Sequence, residues 1–234
     1  MLILAIDTSA VASAALVSDA VPDSVLASFS TEDTRSHAEV LAPGIEGMLA
    51  DAGVTGKDID ALVVGVGPGP FTGLRSGIAT ARTLAFVWSK PLYGLVSLDA
   101  MALEVAESDA AVPEFLVATD ARRKEVYWAR YSLAEGRLPV LEDGPHVSFA
   151  ADLPDLPAFG AGAGLYADAL NAHPDFAQEQ PDALYLGKFA LARLAAGNGL
   201  LDSTPLYLRE SDAQVPGPRK RALRTAHPAA PARM

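Results

Sequence analysis

Residues 2–6 form an unbroken apolar run that stops at Asp7-Thr8, and two further short apolar runs follow at 12–17 and 25–29. Asp19 and Pro22-Asp23 separate the second from the third, so the three read as strands of an antiparallel meander. Ser36-His37-Ala38-Glu39 then has the form of a capping box, a hydroxyl with a carboxylate three residues on. The helix it opens carries Leu41, Ile45, Met48, Leu49 and Ala52 on one face and stops at Gly53. Pro43 removes one of its hydrogen bonds and predicts a kink. Residues 61–66 are continuously apolar, as in a strand buried on both faces. A Gly67-Pro68-Gly69-Pro70 turn follows, then a helix over about 72–88, a strand at 92–96 and a short helix at 98–107. Three strands followed by helix, strand, helix, strand and helix predict a mixed sheet covered by helices.

The pattern restarts after Pro113. Residues 115–119 form a strand ending at Asp120, and 126–132 another. Both halves therefore open with a buried strand that delivers an aspartate, ILAID and FLVATD, 113 residues apart. This suggests two lobes, 1–108 and a smaller 109–215. The second contains the glycine-rich Gly160-Ala161-Gly162-Ala163-Gly164, a helix reaching about Asn171 and another near 186–196. From Pro216 the chain has four prolines and no periodicity, so 216–234 is expected to be disordered.

Composition narrows the chemistry. Half of the 234 residues are apolar, but 44 are alanine, which drives burial weakly. The absence of cysteine excludes a disulfide scaffold, a thiol catalyst and a cysteine-ligated metal, and fits a reducing compartment. The tail from Pro216 holds five basic residues and no acid, leaving 13 bases against 29 acids, a net of −16, in residues 1–215. A body that acidic is poorly suited to neutralise phosphates alone. The N-terminal MLILAIDTSAVASAAL imitates a signal peptide, but no Lys or Arg precedes Arg35 and Asp7 interrupts the run. The longest charge-free stretch, 61–74, has 14 residues and two prolines, too few to span a bilayer. A cytoplasmic protein is expected.

GVGPGPFTGLRSG lies between strand and helix, where phosphate-binding loops often sit, yet Leu74 and Arg75 stand where a P-loop needs glycine and lysine. Pro68 and Pro70 also remove two of the N–H groups such a loop would use. A structural turn with Thr72 as helix cap is the preferred reading. In the helix that follows, Gly73, Gly77, Ala81 and Ala85 recur every four residues, so another backbone approaches that face, either the protein's own sheet or first helix, or another chain. Asp7 with Thr8, and Asp120, could hold a metal-bound phosphate or could cap their own turns, the commoner case. His37, His146, His173 and His227 show no metal-ligand spacing, and His37 reads as a first-turn helix residue.

ILAIDTS, the proline-containing helix, VVGVGPGPFTGLRSGIATARTLAF, DARRKEVYWARY and PLYLR together resemble the TsaB (YeaZ) family, over residues 1 to about 209. The signature runs from Gly67 and Pro68 through Gly69, Phe71 and Thr72 to Arg75, with Pro70 where the family usually has serine. The resemblance implies a duplicated actin/hexokinase-like (ribonuclease-H-like) α/β fold. It also implies a subunit of the machinery that makes threonylcarbamoyladenosine next to the tRNA anticodon, and kinship with the catalytic subunit TsaD. The metal-binding histidines of TsaD align with Leu98 and Ala102, so this chain looks like a relative without a catalytic centre or a cofactor of its own. ATP and a metal are expected in the partner subunits. The family pairs with TsaD through its first two long helices, which carried over uses Leu41, Ile45, Met48, Leu49, Gly73, Gly77, Ala81 and Ala85. The resemblance further implies association with the ATPase TsaE, a homodimer when TsaD is absent, tRNA contact only through the complex, and no membrane. A vestigial nucleotide cleft would use Asp7, Thr8 and Asp120. The competing reading is a nucleotide-binding ATPase or phosphotransferase of the same fold.

Overall fold

Strand β1 (Leu2–Asp7) is central because it is apolar on both faces: Ile3 and Ala5 point to one side, Leu4 and Ile6 to the other, all fully buried. The computed structural model describes residues 1–20, 24–31, 37–134 and 138–209; Pro22-Asp23, Ser36 of the expected capping box and the tail 216–234 lie outside them. β1 pairs antiparallel with β2 (Ser13–Ser18), which pairs antiparallel with β3 (Val25–Ser30). On its other edge β1 pairs parallel with β4 (Ala61–Gly65), and β4 with β5 (Leu92–Leu95). The order is β3-β2-β1-β4-β5.

The second sheet repeats this plan. β6 (Glu114–Asp120) pairs antiparallel with β7 (Glu125–Ser132), and β7 with β8 (Val140–Phe149). On its other side β6 runs parallel to β9 (Pro157–Phe159), and β9 to β10 (Asn171–Ala172). The order β8-β7-β6-β9-β10 matches the first sheet strand for strand, and Asp7 and Asp120 end the equivalent strands. This is the duplicated actin/hexokinase-like arrangement.

Helices α1 (His37–Asp51) and α2 (Phe71–Trp88) cover one face of the first sheet, where Leu41, Ile45, Leu74 and Ile78 meet Leu4, Ile6, Leu62 and Val64. The opposite face holds α3 (Ser97–Glu107) and α5 (Ala183–Ala195). α5 lies late in the chain, yet its Leu186, Phe189 and Ala190 pack on Ile3, Ala5, Val17 and Val63. α3 serves both sheets, since Leu98, Met101, Ala102 and Val105 meet Phe115, Val117 and Tyr131 of the second. Tyr131 donates a 2.8 Å hydrogen bond to the buried Asp99 of α3.

Three expectations are corrected. The glycine-rich segment forms only the short α4 (Ala161–Leu165) and not a helix to Asn171. A side chain at Gly162 would strike the Thr119 backbone at 2.6 Å, so the segment is shaped by close approach to β6 more than by helix propensity. β8, β9 and β10 were not anticipated: two are very short, and β8 carries Gly144-Pro145, which a sheet tolerates on its edge strand. Thr72 does not cap α2. The helix starts at Phe71 after Pro70, with no side-chain cap, and Thr72 is exposed.

Candidate functional site

The loop from β4 to α2 is anchored from three directions. Gly67, with φ +104°, donates to Ser97 Oγ at 3.2 Å and accepts from the Ser97 N–H at 2.8 Å. Gly69 packs on the Ser9 backbone so closely that a Cβ would lie 2.6 Å from its carbonyl oxygen. The third anchor is the segment 201–209. Tyr207 packs on Phe71 at 4.3 Å between ring centroids and accepts from Arg75 Nε at 3.0 Å, while the guanidinium lies over both rings. Arg82 adds two 2.9 Å hydrogen bonds to Ser203. Gly67, Gly69, Phe71 and Arg75 thus join loop, α2 and the C-terminal segment.

Asp7 is fully buried beside Gly65, where a Cβ would overlap its carboxylate. It accepts from Ser9 N (2.8 Å), Ser9 Oγ (2.6 Å) and Ser97 Oγ (2.6 Å). Burial pushes its carboxyl up to about 6 against the pull of these donors. Thr8, also buried, donates to Gly73 O at 2.8 Å and ties β1 to α2. Asp120 is half-buried, accepting from Arg122 N at 2.8 Å and pairing with Arg122 Nη1 at 3.1 Å. A 270 Å³ cavity between the strand ends is lined by Ser9, Ala10, Pro70, Thr119, Asp120, Arg122 and Gln180. Asp120 faces this cleft, but Asp7 and Thr8 do not. Expected as cleft residues, those two are structural, with their polar atoms bonded to the protein itself. The residues present therefore do not fit a metal-bound nucleotide gripped through Asp7. Leu98 and Ala102 are fully buried in the apolar layer under the second sheet.

The expected partner-binding faces of α1 and α2 turn inward. Leu41, Ile45, Met48, Ala81 and Ala85 are at most 7% exposed in the first core, and Gly73 and Gly77 are buried. A Cβ on Gly77 would overlap Thr8 Oγ1. Of the open alternatives for the small-residue face, the protein's own sheet is what approaches it. Of the eight, Ile45 and Leu49 also line an apolar groove of 340 Å³ that α1 and α2 leave along the flank of this packed face. Ala42, Ile45, Glu46, Leu49 and Ala50 line it from α1; Thr80, Leu84 and Trp88 line it from α2. Further along α2, Phe86 is 85% exposed. A signal for this face existed: Thr80, Leu84 and Trp88 recur every four residues, as the glycines do.

Between β3, α3 and α5 lies an acidic cavity of 670 Å³ with Glu104, Glu179, Asp182 and Tyr185 in its wall. Burial, then the neighbouring acids, push Glu104 up to about 7. Glu104, Glu179 and Asp182 are 75 or more residues apart or on different elements, so local pattern does not join them all.

The family model described as "TsaD: tRNA N6-adenosine threonylcarbamoyltransferase" matches residues 24–156. An uncharacterized protein of Mycobacterium tuberculosis is 42% identical over 213 residues, covering 91% of this chain and 93% of that one. The tRNA threonylcarbamoyladenosine biosynthesis protein TsaB of Escherichia coli is 40% identical over 136 residues, 58% of this chain and 57% of that one. Among solved structures, YeaZ from Pseudomonas aeruginosa superposes with a TM-score of 0.74 at 28% identity, covering 88% of this chain and 99% of that one.

Proposed function

The chain belongs to the TsaB (YeaZ) family and has a role in threonylcarbamoyladenosine biosynthesis on tRNA, and from that premise we propose that it is a non-catalytic subunit that binds and activates TsaD. It would do so by preferring the competent conformation of TsaD, since a binder shifts an equilibrium only through differential affinity. TsaE joins the same assembly, the ATP and metal chemistry belongs to the partner subunits, and two copies can pair when TsaD is absent. The cytoplasm is the proposed location; among the described residues no helix is long and apolar enough to cross a membrane.

The observation that carries this reading is the outward groove between α1 and α2, an apolar trough on an acidic protein. Apolar helix faces left in water favour association with a second apolar helix surface. The proposed contact residues are therefore Ala42, Leu49, Ala50, Thr80, Leu84 and Trp88. The inward set keeps the scaffold rigid beneath them.

Size-exclusion chromatography with light scattering, on this protein mixed with TsaD from its own organism, tests the proposal. The wild type is expected to form a one-to-one complex. Ala42→Arg/Ala50→Arg places two charges in the groove from exposed positions and should weaken association by about 100-fold, with the urea midpoint unchanged. Wild-type association unaffected by the double substitution would move the interface elsewhere. No association at all would leave the fold without the proposed role.

A further inference from the structure

The turn between β6 and β7 carries Arg122, Arg123 and Lys124, with φ of 64°, 57° and 66°. Three successive non-glycine residues in the left-handed region are costly, and glycine or asparagine would adopt that backbone more readily at each position. The conformation persists because its surroundings impose it. Asp120 Oδ1 accepts from Arg122 N at 2.8 Å, Ala121 N donates to Glu125 O at 3.0 Å, and Glu125 N donates to Arg122 O at 3.0 Å. From outside, Arg209 donates to Ala121 O at 2.7 Å and pairs with Glu125, and Tyr166 accepts from the Lys124 N–H. All three cationic side chains are exposed.

A rigid, strained turn made of three cations is an unusual use of charge on a body with a net of −16. Strain maintained by surrounding contacts marks functional positions more often than incidental ones. Beside the turn lies a 330 Å³ pocket in which Arg122, Arg123 and Arg209, three cations against the single carboxylate of Asp120 that pairs with Arg122, stand next to Pro70, Phe71 and Tyr127. Cations for phosphates beside flat apolar surface for a sugar or base are the elements of single-stranded RNA recognition.

We propose that the Arg122–Lys124 turn is a direct contact for the phosphate backbone of the tRNA, where the family resemblance implied contact only through the complex. The inference rests on the role in tRNA modification proposed above. The acidic remainder of residues 1–215 repels the rest of the nucleic acid, so the contact at this turn is local and covers two or three phosphates. Most of the binding falls to the other subunits. The turn would hold the RNA strand in register at the mouth of the inter-lobe cleft.

The test is a salt titration of a fluorescently labelled, unmodified tRNA transcript, followed by anisotropy, on the chain alone and on its mixture with TsaD. Arg122→Asn/Arg123→Asn/Lys124→Asn removes the charges with a residue that suits positive φ. The expected result is at least about tenfold weaker binding at low salt, with the log–log salt slope reduced in magnitude by about 2 and TsaD association intact. Arg122→Lys/Arg123→Lys, which keeps the charges, should retain the wild-type slope. Unchanged affinity and slope in the triple variant would overturn the assignment, as would lost TsaD association with tRNA binding unaltered, which would make the turn a protein contact. If the wild type fails to bind TsaD, the subunit role fails, while the titration on the chain alone still reads the turn. A wild-type chain and mixture that both ignore the transcript would overturn it as well.

Discussion

Gly77→Leu is expected to lower stability by about 3 kcal/mol, because the position faces the protein's own buried Thr8, just after β1, and not a partner. A single Cβ there already overlaps Thr8 Oγ1, and the buried Thr8 hydroxyl donates to Gly73 O at 2.8 Å, one turn earlier on α2. Leucine would push the helix away from the sheet, break that bond and open the layer containing Leu74, Ile78 and Ala81. Neither the helix nor β1 can yield easily, since β1 is the central strand and the loop before α2 is fastened to Ser9 and Ser97. The control is Ala79→Leu, on the exposed side of the same helix, which should leave the urea midpoint within experimental error. Urea denaturation of both variants decides the matter. A Gly77→Leu protein as stable as the wild type would mean that α2 does not lie on the sheet in this way. Any loss of partner binding by this variant must be read against its folding, which makes the exposed Ala42 and Ala50 better probes of the interface.

Stability should fall as pH rises from about 4 to 7. Asp7 and Asp99 are both buried, and desolvation pushes each carboxyl up to about 6, from an ordinary value of 3.8. The folded state therefore holds protons that the unfolded chain has already released, so it binds more protons across this window and loses stability with increasing pH. The contribution of each group is fully present below about pH 4 and lost as pH passes 6. A shift of about two units corresponds to about 3 kcal/mol per group. Glu104, pushed up to about 7 by burial and by Glu179, Asp182 and Glu107, extends the decline toward neutrality. Exposed Asp58, Asp143 and Asp202 are held below the ordinary value by hydrogen bonds to Thr55, His146 and Thr204, and act in the opposite sense only at more acid pH. Urea midpoints at pH 4.5, 5.5, 6.5 and 7.5 should decrease in that order. Asp7→Asn, which cannot ionise, should flatten the decline by the Asp7 share. Midpoints that rise steadily with pH would show that these carboxylates are better stabilised than their burial allows.

The strand-ending aspartates show both the reach and the limit of reading the chain alone. ILAID and FLVATD identified the duplication, and the sheets match strand for strand about those two segments. The same motif says nothing about what each aspartate faces. Asp7 is enclosed by Ser9, Gly65 and Ser97, the last 90 residues away, while Asp120 faces the cleft with Arg122. Only the packed molecule distinguishes a buried structural carboxylate from a cleft-lining one.

Hydrophobic runs and their periods determined the strands β1 to β7 and the helices α1, α2, α3 and α5, and the motifs ILAIDTS, GPGPFTGLR and PLYLR carried the family resemblance, because each of these is encoded in neighbouring residues. The short strands β9 and β10 and the contracted α4 carry no period, being shaped by what packs on them. Which face of α2 meets the sheet was decided only by the tertiary structure. Two rows at four-residue spacing lie next to each other on that helix, Gly73-Gly77-Ala81-Ala85 and Thr80-Leu84-Trp88. Periodicity measures how apolar a face is, not what covers it. The bare row lies against the first sheet, where Gly77 leaves room for the Thr8 side chain just after β1, and the bulkier row lines the groove.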